Sequence, residues 1–258
     1  VQQGALRVCK SENLDLLIHP CNYQSKNLNS EIRSLIEHSR VDGLIVTPPL
    51  SDKKSLIATI NKTGTPVVRV SPGDTSESQF SVSTNDREIC AEMTEYLASL
   101  GHRRIAFITG NPDHKAIEYR FLGYQDGLRN AGLKFSQQLV KSGDNSFRSG
   151  EECTRKLLGG KNPPTAIFAA NDDMATGVLR AAHQLGVEVP AALSVAGFDD
   201  IPLAQQIYPA LTTIRQPVRK MAEKAAELLL EQVRSEPVEQ KSAKIEAELR
   251  IRESTGPV

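Results

Sequence analysis

The chain has 258 residues, of which 39% are hydrophobic, 24% charged and 5% aromatic, with no tryptophan. That balance belongs to a globular protein with one or two cores and excludes a disordered chain. Lys plus Arg and Asp plus Glu both number 31, so the basic excess that marks a nucleic-acid surface is missing. The longest apolar runs, such as Gly43–Val46 and Ala166–Ala170, fall far short of the ~20 residues of a membrane-spanning helix.

Val1–Ser11 reads as the middle and end of an amphipathic helix with no cap and no strand before it, so further chain is expected upstream. Leu14–His19, an apolar run between Asn13 and Pro20, predicts a strand buried on both faces. Leu28, Ile32, Leu35 and Ile36 then recur at i, i+4, i+7 and i+8, a single helical stripe. Val41–Thr47 predicts a second strand, halted by Pro48-Pro49; Ser51–Thr63 predicts a helix, and Pro66–Val70 a third strand. A polar loop, Ser71–Gln79, and a short alternation around Phe80–Val82 follow.

The alternation then starts again. Asn85 or Asp86 caps a helix with Ile89, Met93 and Leu97 inward that ends at Gly101. Next come a strand over Arg104–Thr109, a helix over Lys115–Ala131, a short strand near Leu139 and a helix over Ser149–Leu158. Thr165–Ala169 and Leu193–Gly197 read as strands on either side of a helix over Met174–Leu185. In the last fifth, Leu211–Arg215 is a strand, Val218–Val233 a long helix, and Lys244–Arg252 an edge strand with Ile245, Ala247, Leu249 and Ile251 on its apolar face. The pattern predicts an α/β fold of two doubly wound parallel-sheet lobes, with a ligand cleft at the carboxyl ends of their strands. The lobes are expected over 1–82 plus 217–240 and over 83–216 plus 241–258.

Polar residues that follow buried strands are the first candidates for a site. Asn171-Asp172-Asp173 and Phe198-Asp199-Asp200 both stand there. Helix capping is the competing role for the first triplet and a turn for the second; Asn171, immediately at the strand end, is the better ligand candidate. Arg120 lies one turn into a helix after a polar loop, where its planar fork suits hydroxyls or a carboxylate. No nucleophile elbow, phosphate-binding glycine loop, dinucleotide fingerprint or paired zinc histidines occur. The five histidines are scattered, and His102 reads as a helix-end cation. No metal or cofactor is implied. Cys9, Cys21, Cys90 and Cys153 form no C-x-x-C pair, which predicts buried reduced thiols and a cytoplasmic location.

Six strings carry a more specific signal: Arg40-Val-Asp-Gly-Leu-Ile, Leu100-Gly-His-Arg-Arg-Ile-Ala-Phe-Ile, Tyr119-Arg-Phe-Leu-Gly-Tyr, Ala170-Asn-Asp-Asp-Met-Ala, Ser194-Val-Ala-Gly-Phe-Asp-Asp and Leu211-Thr-Thr-Ile-Arg-Gln-Pro. In this order they resemble the lactose-repressor/galactose-repressor family of bacterial transcription regulators, over essentially the whole chain. The resemblance implies the effector-binding and dimerisation core of that family, with a fold like that of type I periplasmic binding proteins. By position, Arg120, Asn171 and Asp199 match ligand-binding residues of the family, and Gln216 a hinge residue that reaches the ligand. Asn145 stands where many members place an aromatic, which Phe147 can supply instead, and Ser71 stands where an Asp is common. The implied partners are a small-molecule effector such as a sugar, glycoside or nucleoside, a second copy of the chain, and operator DNA through a helix-turn-helix headpiece outside this chain. A first strand, also outside the chain, is expected in the first lobe. Two alternatives stand beside this reading: a sugar-binding protein of an ABC transport system, which shares the fold, and a small doubly wound hydrolase.

Overall fold

The computed structural model describes residues 1–74, 79–237 and 240–258. In chain order the elements are α1 (Gln2–Ser11), α2 (Leu28–Ser39), β1 (Leu44–Val46), α3 (Lys54–Lys62), β2 (Val67–Val70), β3 (Ser81–Thr84) and α4 (Asp86–Ser99). They continue with β4 (Ile105–Thr109), α5 (Ala116–Asn130), β5 (Val140–Ser142), α6 (Phe147–Leu158), β6 (Ala166–Ala169) and α7 (Asp172–Gln184). The rest are β7 (Ser194–Asp199), α8 (Leu203–Gln206), β8 (Thr212–Arg215), α9 (Val218–Val233), β9 (Ser242–Ile245) and β10 (Glu248–Arg250). Part of the expected loop Ser71–Gln79, residues 75–78, lies outside the described residues. No helix among the described residues is long and apolar enough to cross a membrane.

The chain divides into two compact units. The first comprises Val1–Thr84, Asp113–Lys115 and Pro217–Ile245; the second comprises Asn85–Pro112, Ala116–Gln216 and Glu246–Val258.

The first unit holds a parallel sheet in the order β1-β2-β3-β9. Because successive side chains alternate between faces, its core is divided. Val46 packs with Leu28, Ile32 and Ile36 of α2 and Leu56, Ile57 and Ile60 of α3 on one face. Val68, Val70 and Val82 pack with Met221, Ala225 and Leu228 of α9 on the other. Ala5 and Val8 seat α1 against Ala226 of α9. The sequence places Leu14–His19 in this sheet, but the structure does not: no strand among the described residues pairs with it, β1 is the sheet edge, and Leu14, Leu17 and Ile18 are 40%, 58% and 53% exposed. A groove of about 790 Å³ lies there, lined by Leu14–Leu17, the β1 backbone and Leu229 of α9. An apolar run signals a wish for burial, whereas a strand also needs a neighbour to take its backbone hydrogen bonds.

The second unit holds a sheet in the order β10-β8-β7-β6-β4-β5, parallel except for the antiparallel edge strand β10. The chain starts at β4, turns one way to β5, then returns to β6 and β7, so the topology switches between β5 and β6, on either side of β4. Its apolar residues form one continuous cluster running from Ile89 of α4 to Ala247. Tyr124 is fully buried in it, stacked on Phe107 at 4.9 Å, and donates its hydroxyl to the Ile105 carbonyl at 2.8 Å. Glycines let α5 lie close on α4: a Cβ at Gly123 would stand 2.2 Å from the Arg87 carbonyl oxygen.

Two further expectations are corrected. Lys244–Arg252 is not one strand, because β9 joins β3 in the first unit while β10 pairs with β8 in the second; residues 241–245 therefore leave the lobe expected for them. The alternation of apolar residues runs through the break, where the backbone N–H of Ala247 donates instead to Asn85 Oδ1 at 2.8 Å. His102 is no surface cation. It is 2% exposed and bonded to Thr165 Oγ1 and Ser194 Oγ at 2.9 and 2.8 Å. Burial pulls its pKa below the ordinary value, against the hydrogen bond to the Gly256 carbonyl.

Candidate functional site

The carboxyl ends of β4, β6 and β7 in the second unit gather Arg120, Asn145, Asn171 and Asp199 from among the residues singled out by the sequence. Arg120 projects from α5 with its side chain 8% exposed. Its Nε donates to Asp86 Oδ2 at 3.1 Å, and its Nη1 donates to the Ala170 carbonyl at 2.5 Å and lies 3.8 Å from Asp199 Oδ1. The guanidinium carbon sits 3.6 Å from the centre of the Phe198 ring, a cation–π contact. Burial works against the charge, but the Asp86 and Asp199 carboxylates overcome it and hold the Arg120 pKa above its usual range. Nη2 makes no hydrogen bond among the described residues. A guanidinium is therefore fixed on three sides, with one pair of donors left over.

Asp199 closes β7 with φ 120°, a region that side chains other than hydrogen rarely enter. Its neighbour Asp200 is also left-handed, at φ 55°. That backbone is held in place by Asp200, whose carboxylate is 1% exposed and accepts from Arg215 Nε and Arg252 Nη2, both at 2.6 Å. The two aspartates thus divide the work: Asp200 fastens the turn, and Asp199, with a third of its side chain exposed, faces Arg120. Burial pushes the Asp199 carboxyl up to about 6, opposed by Arg120 and reinforced by Asp86 and Asp173.

Asn171 is both cap and bridge. Its Oδ1 accepts from the Met174 N–H at 2.9 Å, capping α7, and its Nδ2 donates to the Asn145 carbonyl at 2.9 Å. Asn145 sits at φ 73°, and its Oδ1 accepts from the Asn111 N–H at 3.0 Å, so the loops after β4 and β5 and the end of β6 are tied together. Phe147 opens α6 two residues on, with 36% of its surface exposed. Gln216 follows β8 and is half-buried; its N–H lies 3.4 Å from the Asp199 carbonyl. Ser71 lies in the first unit, at the end of β2 with φ 45°, donating its N–H to Val82 O at 2.7 Å.

Sequence reasoning gave Asp86 only a capping role and Phe198 none. Asp86 is 34 positions from the arginine it pairs with, and no local spacing advertises such a pair. Asp172, weighed as a helix-start acid, is fully buried: its Oδ1 accepts from Thr213 Oγ1 at 2.5 Å and its Oδ2 from the Ile201 N–H at 2.9 Å. It lies so close to β7 that a Cβ on Gly197 would stand 2.2 Å from its Oδ1.

Comparison with known proteins places this arrangement. Residues 94–255 match the model of the periplasmic binding protein-like domain. The repressor CytR of Escherichia coli strain K12 is 33% identical over 93% of this chain and 70% of its own length. The chain belongs to the LacI family. Another LacI-family relative, the probable repressor ExuR of Bacillus subtilis, is 35% identical over 83% of this chain and 65% of its own length. This LacI-family chain thus spans about two thirds of the length of these curated relatives. Among solved structures, a complex of the transcriptional regulator CelR with cellobiose superposes with a TM-score of 0.91 at 28% identity, over 98% of this chain and 77% of the other. The α/β architecture and its parallel-dominated sheets are those of this family's periplasmic-binding-protein-like core.

Proposed function

We propose that this chain is the sensing core of a LacI-family repressor and that its effector is a neutral, polyhydroxylated metabolite, a sugar or glycoside. The observation that carries the reading is Arg120, fixed by Asp86, Ala170 and Phe198, with Nη1 3.8 Å from Asp199 Oδ1 and no hydrogen bond to Nη2 among the described residues. The Arg120 guanidinium already lies beside the Asp86 and Asp199 carboxylates, so an anionic ligand would have to compete with them for it. A neutral polyol can instead donate hydroxyls to Asp199 and accept from Arg120 Nη2, with Phe147 offering a ring face to the apolar side of a sugar. Asn171, Asn145 and Gln216 supply further amide groups around the same strand ends. The cellobiose named in the related complex is such a ligand.

Control of DNA would run through a headpiece of the whole protein, in a cytoplasmic homodimer. Coupling requires the effector to favour one conformation over another, since equal affinity shifts nothing. Transport is the weaker reading, because the curated relatives are named as repressors. Calorimetry with neutral mono- and disaccharides, uronates and sugar phosphates tests the proposal. Binding of a neutral member, weakened at least tenfold in Asp199→Asn, is expected. Exclusive binding of an acid or a phosphate refutes the neutral effector.

A further inference from the structure

Away from the strand ends of the second unit, the first unit gathers three ligand types that the sequence leaves apart. His19 and Cys21 flank Pro20 at the end of the unpaired segment, and Glu31 lies in the first turn of α2. An imidazole nitrogen, the Cys21 sulfur and a Glu31 carboxylate oxygen all lie within 4.8 Å of one another. His19 Nε2 is 2.9 Å from Glu31 Oε1, and Cys21 Sγ donates to the His19 carbonyl at 3.6 Å. From the geometry we infer a divalent-metal site, with zinc the cation it fits.

Thiolate, imidazole and carboxylate are the three zinc ligand types, bound at roughly 2.0–2.3 Å in a tetrahedron. That tetrahedron sets its ligand atoms about 3.5 Å apart. The cluster lies near that spacing: the His19–Glu31 pair at 2.9 Å would widen, and separations of up to 4.8 Å would close by about an ångström. A thiolate among the ligands disfavours magnesium and calcium, which take oxygen. His19 and Cys21 also line the groove beside β1, so a water or another donor can reach the fourth position from there. No ladder hydrogen bond holds Asp15–His19 among the described residues. A metal would thus add to the His19–Glu31 contact that already joins this segment to α2, and its uptake would release the thiol proton.

Cobalt(II) is the probe, because a cobalt–thiolate bond gives a near-ultraviolet charge-transfer band that carboxylate and imidazole ligands alone do not. The full chain, purified with reductant and freed of metal, is titrated with Co²⁺ and then with Zn²⁺. The expected result is a charge-transfer band at one equivalent, displaced by zinc, lost in Cys21→Ser, weakened in His19→Ala and Glu31→Gln, and kept in Cys9→Ser. Far-ultraviolet circular dichroism confirms that each variant is folded. Absence of the band in the wild-type chain, or its survival in Cys21→Ser, overturns the site, and the outcome is independent of whether any sugar binds the second unit.

Discussion

Replacing Asp172 by Asn should remove a downward contribution to the slope of stability between pH 6 and pH 7. Burial pushes this carboxyl from an ordinary 3.8 up to about 7, against the Thr213 hydrogen bond and with added repulsion from Asp199. The native state therefore holds a proton that the unfolded chain has already released. Stability falls as pH rises from about 4 to about 7, and levels off above that. At about 1.4 kcal/mol per pH unit the full loss is at most about 4 kcal/mol. Asp199, pushed up to about 6, adds a slope of the same sign mainly below pH 6, and His102, held below its ordinary value by burial, adds one of opposite sign; both are shared by the variant, so the difference between the two slopes from pH 6 to pH 7 reports on Asp172. Asparagine keeps the shape and both contacts: its carbonyl can accept from Ile201 N–H, and Thr213 Oγ1 can turn to accept from its amide. Urea unfolding followed by circular dichroism at pH 5, 6, 7 and 8 should show the variant at least as stable as the wild type at pH 8. An unchanged slope between pH 6 and pH 7 would refute the argument.

Other substitutions probe the remaining elements. Arg120→Ala removes a buried guanidinium that donates to Asp86 Oδ2 at 3.1 Å and to the Ala170 carbonyl at 2.5 Å, and should lower stability by about 3 kcal/mol in the same urea assay. Tyr124→Phe removes one buried hydrogen bond without opening a cavity, and a loss of about 0.5–1.5 kcal/mol is expected. Gly123→Ala drives a methyl toward the Arg87 carbonyl and should cost at least about 1–3 kcal/mol as α4 and α5 are forced apart, read as a fall in Tm. Phe147→Ala, at an exposed ring, should leave Tm nearly unchanged while weakening sugar binding by about three- to tenfold, the range of a lost ring contact; equal affinity in calorimetry removes Phe147 from the site.

Periodicity alone made most of the strands and helices legible, because a strand buried on both faces and a helix with one apolar stripe each impose their own spacing on the sequence. It failed where the outcome depended on a distant partner. Leu14–His19 has the composition of a strand and lacks the neighbour. Lys244–Arg252 alternates throughout, yet two different strands, β3 and β8, claim its two ends. At the candidate site, Asn171 and Asp199 stand out in the sequence because a sheet presents the residues just past its strand ends, and Arg120, one turn into α5, because its string resembles a family pattern. Asp86 and Asp172 do not, since capping explains an acid at a helix start as well as burial does. His102 likewise looked like a helix-end cation until the residues around it, Thr165, Ser194 and Gly256, came from far along the chain.

The division of the last strands between the two sheets also bears on synthesis. β9 and β10 occupy one edge each of their sheets and emerge from the ribosome after every other described strand. At about 5–20 residues per second, all the inner strands are out for roughly a second or more before β10 emerges. During that interval β3 and β8 present bare hydrogen-bonding edges, the surfaces at which nascent chains pair wrongly with one another. The closing strands then act as covers for two cores already formed, and a ribosome stalled just past α9 would release a chain whose two sheets are both unsealed.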